Sequence, residues 1–547
     1  MSLINEIFKL YLYTMKNKAI FFLFGILIIA SLLRGIRLDS IPISPDWDEV
    51  SLGYNAYSII QTGRDEYGKF LPVVLRSYDD YKPALYSYIA IPTIKLLGLN
   101  VFAVRLPSAI LGVLAVLGTF LLVKELFKRD DLALLSAFLL AISPWHIQFS
   151  RVAFESNIGL TFNILAALFF LKGLKKPIFL IFSVALMALN LYVYQSEKVF
   201  TPLLLLLLIT IFRKEIFSIP RKFIFLAITV GLIFSLPMLS FLLTNKNSLE
   251  RAKGVSIFSQ PYSYGEAQKA LNDTNNNDKL GLIFDNRRVF YAKEVLSGYL
   301  SHFDFNWLFI RGDIARHHAP NMGLMYLFEL PFLLIGIYSF FKKEYKKARI
   351  LIFMWFLIAP IPASITSGVP HAIRTLNFLP TFQIFTALGI VYAFSVLKKY
   401  PMLFLSIIIF GVFNFVYYLD QYFVQQNIFN AKEWQYGYAK IIPEINIDKY
   451  KKIIVSNEGY MDQSYMFFLF YLKYPPKNYQ KQSEFASGGF RENHKFGKFE
   501  FRPIVWGKEI KSENTIYIGK PSDFGQDAQV LKVINYPDGG EAMRIVQ

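Results

Sequence analysis

The amino-acid sequence predicts a polytopic α-helical membrane protein of about eleven spans with outer-surface helices, followed by a small C-terminal α/β soluble domain. Three observations point there. The 547 residues are 54% hydrophobic and 17% aromatic, with a mean hydropathy of +0.36, above what a soluble chain of this length carries. Apolar runs that span or nearly span a bilayer recur near 19–36, 103–127, 131–146, 158–173, 177–194, 199–212, 223–243, 322–341, 350–366, 374–397 and 402–418. Every second connection between them is basic, as the positive-inside rule requires of cytoplasmic loops.

Taken in order, the first run has a basic start, Lys16 and Lys18, and ends in Leu32-Leu33-Arg34-Gly35, which is no small-residue cleavage site. It reads as a retained anchor with a cytoplasmic N-terminus. The later basic clusters are Lys124, Lys128 and Arg129; Lys172, Lys175 and Lys176; Arg213, Lys214, Arg221 and Lys222; Lys342, Lys343, Lys346, Lys347 and Arg349; and Lys398 and Lys399. The apolar stretch from Ala84 to Asn100 would reverse all of them if it crossed, so it is expected to lie on the outer surface. Outer segments then fall at 37–102, 147–157, 195–198, 244–321 and 367–373, and the tail from about 419 is extracytoplasmic. In that tail Lys452-Ile453-Ile454-Val455 and Thr515-Ile516-Tyr517-Ile518 read as strands, and Asp538-Gly539-Gly540 as a hairpin turn. The expected division is a transmembrane domain over 1–429 and an extracytoplasmic α/β domain over 430–547, in the plasma or inner membrane.

Charge and composition exclude some functions. The 58 Lys and Arg against 40 Asp and Glu, a net +18, belong to topology rather than to nucleic-acid binding. With no cysteine there are no disulfides, thiolate metal sites or thiol nucleophiles.

The outer segments hold the chemistry. Carboxylates beside a bilayer are costly unless paired or functional, and Ser44-Pro45-Asp46-Trp47-Asp48-Glu49 follows the first run directly. A further acid, Glu155, lies with Arg151 in the second outer segment. Two acids from separate loops allow one to act as base while the other orients a hydroxyl or a cation, with Asp48, Glu155 and Glu49 as the catalytic candidates. Cations on the outer side run against the inside bias, so Lys82, Arg374, Lys198 and Arg151 are candidates for holding a phosphate. Arg105, also near a span end, reads equally as a headgroup anchor. The stretch Ile310 to His318 supplies Asp313, Arg316 and His317 to a substrate-lining or gating loop. His317 and His318 are sequence neighbours that point apart on a strand, and no metal site is expected.

These residues carry a resemblance. The order Asp48-Glu49, Gly63, Lys82-Pro83, Arg105-Leu106-Pro107-Ser108 at the head of a long span, and Ser143-Pro144-Trp145 ahead of Arg151 and Glu155 resembles the GT-C membrane glycosyltransferases. Within them it is similar to the protein O-mannosyltransferase and lipid A aminoarabinose transferase group, from about residue 40 to 380. Tyr192 to Lys198 and Gly312-Asp313 to Arg316-His317 resemble bacterial members. The resemblance implies a GT-C fold and inverting hexosyl or pentosyl transfer from a polyprenyl-phosphate sugar at the outer face. It matches Asp48 to the family's catalytic acid, Glu155 to its second-loop acid and Lys82 to the lysine that meets the donor phosphate. Ser51 and Leu52 stand where the aminoarabinose enzymes have a basic residue, and no inserted sugar-binding repeat is visible, so neither named acceptor is implied. The expected partners are the polyprenyl-phosphate sugar, a lipid, glycan or protein acceptor and membrane lipids. No cofactor is expected, because cationic side chains can replace an ion at phosphate. The rival class is a transporter or flippase for a lipid-linked or amphipathic solute, which would show midplane charges and repeated halves.

Overall fold

The computed structural model describes residues 2–78, 80–245, 250–259, 264–340, 345–397, 399–482 and 493–547. The chain opens with α1 (Ser2–Gly35), whose Phe21, Phe22 and Phe24 face outward as on a lipid-bathed helix. Helix α2 (Trp47–Thr62) follows. Asp46 caps it by accepting from Glu49 N while Glu49 reaches back to Asp46 N, and Gly63 at φ 70° ends it. A hairpin of β1 (Val74–Ser77) and β2 (Asp80–Pro83) leads into α3 (Leu85–Leu97). At 13 residues, α3 is about 20 Å long, short of the hydrocarbon thickness.

The helical body comprises α4 (Val101–Phe127), α5 (Asp130–Ile142), α6 (Pro144–Arg151), α7 (Glu155–Gly173), α8 (Ile178–Asn190) and α9 (Glu197–Ile211). It continues through a short α10 (Arg213–Phe217) and α11 (Arg221–Thr244). Four further helices, α12 (Glu250–Val255), α13 (Tyr264–Asn275), α14 (Lys279–Phe284) and α15 (Arg287–Ser301), precede α16 (Glu329–Phe340), α17 (Lys346–Ile358), α18 (Ile361–Ser364), α19 (Thr381–Leu397) and α20 (Pro401–Asp420). Among the described residues seven helices are long and apolar enough to cross a membrane, or eight with α5 and α6 taken as one bent span. Each of the apolar runs in the sequence falls on a helix, with corrected ends. The 131–146 run is bent by 58° where Pro144 begins α6. Of the 322–341 run only Glu329–Phe340 is helical, since Leu324 O turns aside to accept Trp145 N at 3.1 Å. Glu197 and Lys198, expected in a loop, open α9.

Helices α16 and α19 cross through glycines: a Cβ at Gly336 would strike the carbonyl of Phe385, and one at Gly389 that of Phe332. Four of the basic connections, 124–129, 172–176, 213–222 and 345–349, meet at one end of the body. Lys175 bonds Glu125 at 2.7 Å, Lys347 bonds Glu215, and Phe127 meets Tyr345 with ring centroids 5.8 Å apart.

The tail is a mixed six-stranded sheet of β3 (Lys452–Val455), β4 (His494–Phe496), β5 (Phe499–Phe501), β6 (Thr515–Gly519), β7 (Val530–Asn535) and β8 (Glu541–Val546), in the order β4-β5-β3-β6-β8-β7. β3 runs parallel to β5 and β6, and β7 and β8 pair antiparallel around Gly539 at φ 90°. A short α23 (Ser464–Tyr471), after α21 (Gln426–Phe429) and α22 (Tyr438–Glu444) and before α24 (Pro476–Gln482), joins this sheet to α2. Phe470 approaches Gly53 so closely that a Cβ there would lie 2.9 Å from its ring, and Tyr54 Oη donates to Tyr474 O at 2.9 Å. One apolar core therefore runs from α2 and α3 into the sheet.

Candidate active site

Asp48, in the first turn of α2, forms an ion pair with Lys82 of β2; their side chains keep 28% and 13% exposure. The hairpin is held against α2 by the Ser51 Oγ to Ser77 Oγ bond at 2.9 Å and by Tyr78, whose hydroxyl donates to Trp47 O at 2.7 Å. Lys82 Nζ lies 5.4 Å from the Tyr78 ring centroid. Glu155, the first residue of α7, is 4% exposed and interacts electrostatically with Lys82 and Asp48. Asp48 and Lys82 are thus paired from two elements, with Glu155 of a third within electrostatic range of both.

Glu49 is turned elsewhere. Its carboxylate accepts from Arg105 Nε at 2.8 Å, Arg105 Nη2 at 2.9 Å and Ala153 N at 3.0 Å, and is 1% exposed. Arg105 is likewise buried and also donates to the carbonyls of Leu38, Pro42 and Ser44, so it is no headgroup anchor. Arg151 donates to the carbonyls of Leu33, Ile36, Arg37 and Ile41 and is fully buried, with Tyr422 and Phe423 against its guanidinium. Both arginines join the chain after α1 to the helical body.

Lys198 reaches the hairpin through one residue: its Nζ donates to Gln195 Oε1 at 2.7 Å, and Gln195 Nε2 donates to Tyr81 O at 3.2 Å. Arg374 donates to Thr366 Oγ1 at 2.6 Å and Ser367 O at 2.7 Å.

The 312–318 loop packs over the α6–α7 turn. Arg316 Nη1 lies 3.3 Å from Asp46 Oδ2, and its guanidinium 4.3 Å from the Trp47 ring centroid. Burial pushes the Asp46 carboxyl up to about 7, with Asp48 and Glu49 adding to it and Arg316 opposing. Asp313 Oδ2 accepts from Ala372 N at 2.5 Å and contacts His317 Nδ1 at 3.0 Å. Burial would raise Asp313, but the bond to His317 wins and holds it at about 2. His318 turns away to Ala319 O. His317 instead stacks near Phe149, Phe154 and His371, with centroids 5.4, 5.8 and 5.1 Å away.

Some charged groups and pairings around these residues escaped the sequence reading. Asp46 and Arg316 are 270 residues apart, and nothing local signals their pairing. Glu66, lifted by burial to about 8, accepts from Asn55 and senses Lys82. Glu197 is buried among Asn163, Asn190, Thr201 and Asn377, the two shortest bonds being 2.7 Å from Asn163 and Asn377. A carboxyl at the head of an apolar run was its one available signal.

Residues 81–241 match the sequence profile of the dolichyl-phosphate-mannose-protein mannosyltransferase family, a segment that contains Lys82 and Glu155 but not Asp48. No curated protein matches the chain by sequence. Among solved structures, ArnT from Cupriavidus metallidurans in its apo state aligns at TM-score 0.56 and 10% identity, over 97% of this chain and 98% of that one. The same protein bound to undecaprenyl phosphate aligns at 0.56 and 9%, with the same coverage. The Archaeoglobus fulgidus oligosaccharyltransferase in complex with Zn and sulfate aligns at 0.50 and 13%, over 91% of this chain and 68% of that one.

The chain has the GT-C fold of multi-pass membrane glycosyltransferases, with a C-terminal sheet domain. Within that class it resembles the protein O-mannosyltransferases and ArnT.

Proposed function

We propose that the chain transfers a monosaccharide, with inversion, from a polyprenyl-phosphate donor to an acceptor hydroxyl on the outer face of the plasma or inner membrane. The Asp48–Lys82 ion pair, partly open and beside buried Glu155, carries this reading. The undecaprenyl phosphate of the ArnT structure supports a lipid phosphate as the donor's anchor. The donor phosphate competes with Asp48 for Lys82, and its arrival frees the carboxylate. Asp48 then takes the acceptor O–H proton as that oxygen attacks the anomeric carbon from the face opposite the phosphate. The bond from carbon to phosphate oxygen breaks, and Lys82 meets the charge that develops on the leaving phosphate. Lys198, through Gln195, and Arg374 are the further cations for the donor, while Glu155 orients Lys82 or the acceptor. Glu49 and Arg151 are assigned to the frame, because every contact named above ties them to structure. Residues 1–429 hold the reaction and 430–547 form the outer domain over α2. The basic connections that meet at one end of the body are assigned to the cytoplasm with the N-terminus.

The test is transfer of a radiolabelled sugar from a panel of polyprenyl-phosphate monosaccharides by reconstituted protein, with lipid, glycan and peptide acceptors. Transfer or donor hydrolysis that disappears in Asp48→Asn and Lys82→Ala supports the proposal. Donor movement across the bilayer with no bond cleavage under any condition refutes it in favour of a flippase.

A further inference from the structure

Asp313, His317 and His371 each offer one ligand atom, and all three atoms lie within 4.8 Å of one another. A tetrahedral zinc-type site places its ligand atoms about 3.3 Å apart, so a small inward movement closes this trio on one ion. The parts are already fixed. Ala372 N holds Asp313 Oδ2 at 2.5 Å, and His371 N donates to His302 Nε2 at 3.2 Å, so the backbone on either side of the His371 side chain is restrained. His371 Nδ1 is buried with no hydrogen-bond partner in the protein, so it calls for a water or an ion.

We propose that Asp313, His317 and His371 bind a zinc-type divalent cation. It fastens the 312–318 loop to the segment before α19, whatever reaction the chain performs. Two imidazole nitrogens and one carboxylate suit Zn²⁺ or Co²⁺ and leave a fourth position for water. Two imidazoles among three ligands disfavour Ca²⁺ and Mg²⁺, which take oxygen ligands. Arg316 lies one residue before His317, so the cation also steadies the Arg316 contact with Asp46, next to the Asp48–Lys82 pair. The site differs in every residue from the Asp48, Lys82 and Glu155 group. With no cysteine and 6 histidines in the chain, few other sites compete for the metal.

The test uses the full-length protein in detergent, stripped with a chelator and titrated with Zn²⁺ and, in parallel, with Co²⁺. The expected result is one strongly bound ion per chain, a raised unfolding midpoint and a visible Co²⁺ spectrum of low-coordinate form, with no response to Mg²⁺ or Ca²⁺. Asp313→Asn and His371→Ala should each weaken Zn²⁺ binding by at least the roughly 10–100-fold that loss of a second-shell partner costs. His494→Ala, in β4, should bind as wild type does. Because either ligand variant could fail to fold, the wild-type Co²⁺ spectrum stands as an independent readout. Absence of tight Zn²⁺ binding by the wild type, or binding unchanged in folded Asp313→Asn and His371→Ala, overturns the proposal.

Discussion

Arg105 holds Glu49 through two guanidinium nitrogens, at 2.8 and 2.9 Å, with both side chains sealed from solvent. Removing one partner strands a buried charge. Arg105→Met should destabilise the protein by about 3–5 kcal/mol, and Glu49→Leu by a similar amount. The double variant should recover much of that loss. Thermal unfolding in detergent checks this, and a double variant as unstable as the sum of the singles would count against a closed pair.

Asp48 and Lys82 should separate by kinetics. Asp48→Asn should lower turnover by about two to four orders of magnitude while the protein stays folded and donor still binds. Lys82→Ala should weaken donor binding as well, since it removes the phosphate's cation. Single-turnover transfer with a matched binding isotherm distinguishes them; near-normal turnover by folded Asp48→Asn would remove Asp48 as the base.

Asp46 gives a pH signature. Burial holds its folded pKa at about 7, above the ordinary carboxylate value of 3.8, so its contribution to stability is fully present below the unfolded pKa and is lost as pH rises through about 7. Arg316 opposes the shift, while Asp48 and Glu49 deepen it, and Arg105 also senses Asp46. The unfolding midpoint of the wild type should therefore fall from about pH 4 to about pH 7 relative to Asp46→Asn, which keeps a cap but cannot ionise, and level off above that. Parallel curves for the two proteins would exclude Asp46 as the titrating group.

The glycine crossing should be intolerant of side chains. Gly336→Val drives a side chain into the Phe385 carbonyl and should cost at least the roughly 1–3 kcal/mol of core overpacking. Gly25→Val, on the open face of α1, has nothing within 4 Å of its Cβ and serves as the control. Expression level and unfolding midpoint compare the two, and equal effects would mean that α16 and α19 do not depend on close approach.

The sequence revealed what is local and periodic. Long apolar runs marked the helices, β-branched runs marked β3 and β6, and Asp538-Gly539-Gly540 marked the turn between β7 and β8. Asp48, Lys82 and Glu155 stood out because charges beside a membrane are scarce. Glu49 was drawn into the same reading by adjacency, yet successive residues on a helix point about 100° apart, so Asp48 faces Lys82 while Glu49 faces Arg105. Hydropathy averages over windows and did not register the 58° bend at Ser143-Pro144. The contacts of Arg316 with Asp46 and of His317 with His371 join distant segments, and only the folded chain discloses them.

The shared core of α2 and the C-terminal sheet sets an order of assembly. Tyr54 and Tyr474 are 420 residues apart, a distance translated in about 20–80 s at 5–20 residues per second. The helix that bears Asp48 is made almost first, but the surface that covers it arrives almost last. Through most of biosynthesis that helix lacks its cover, and a nascent chain has no finished surface around the Asp48–Lys82 pair.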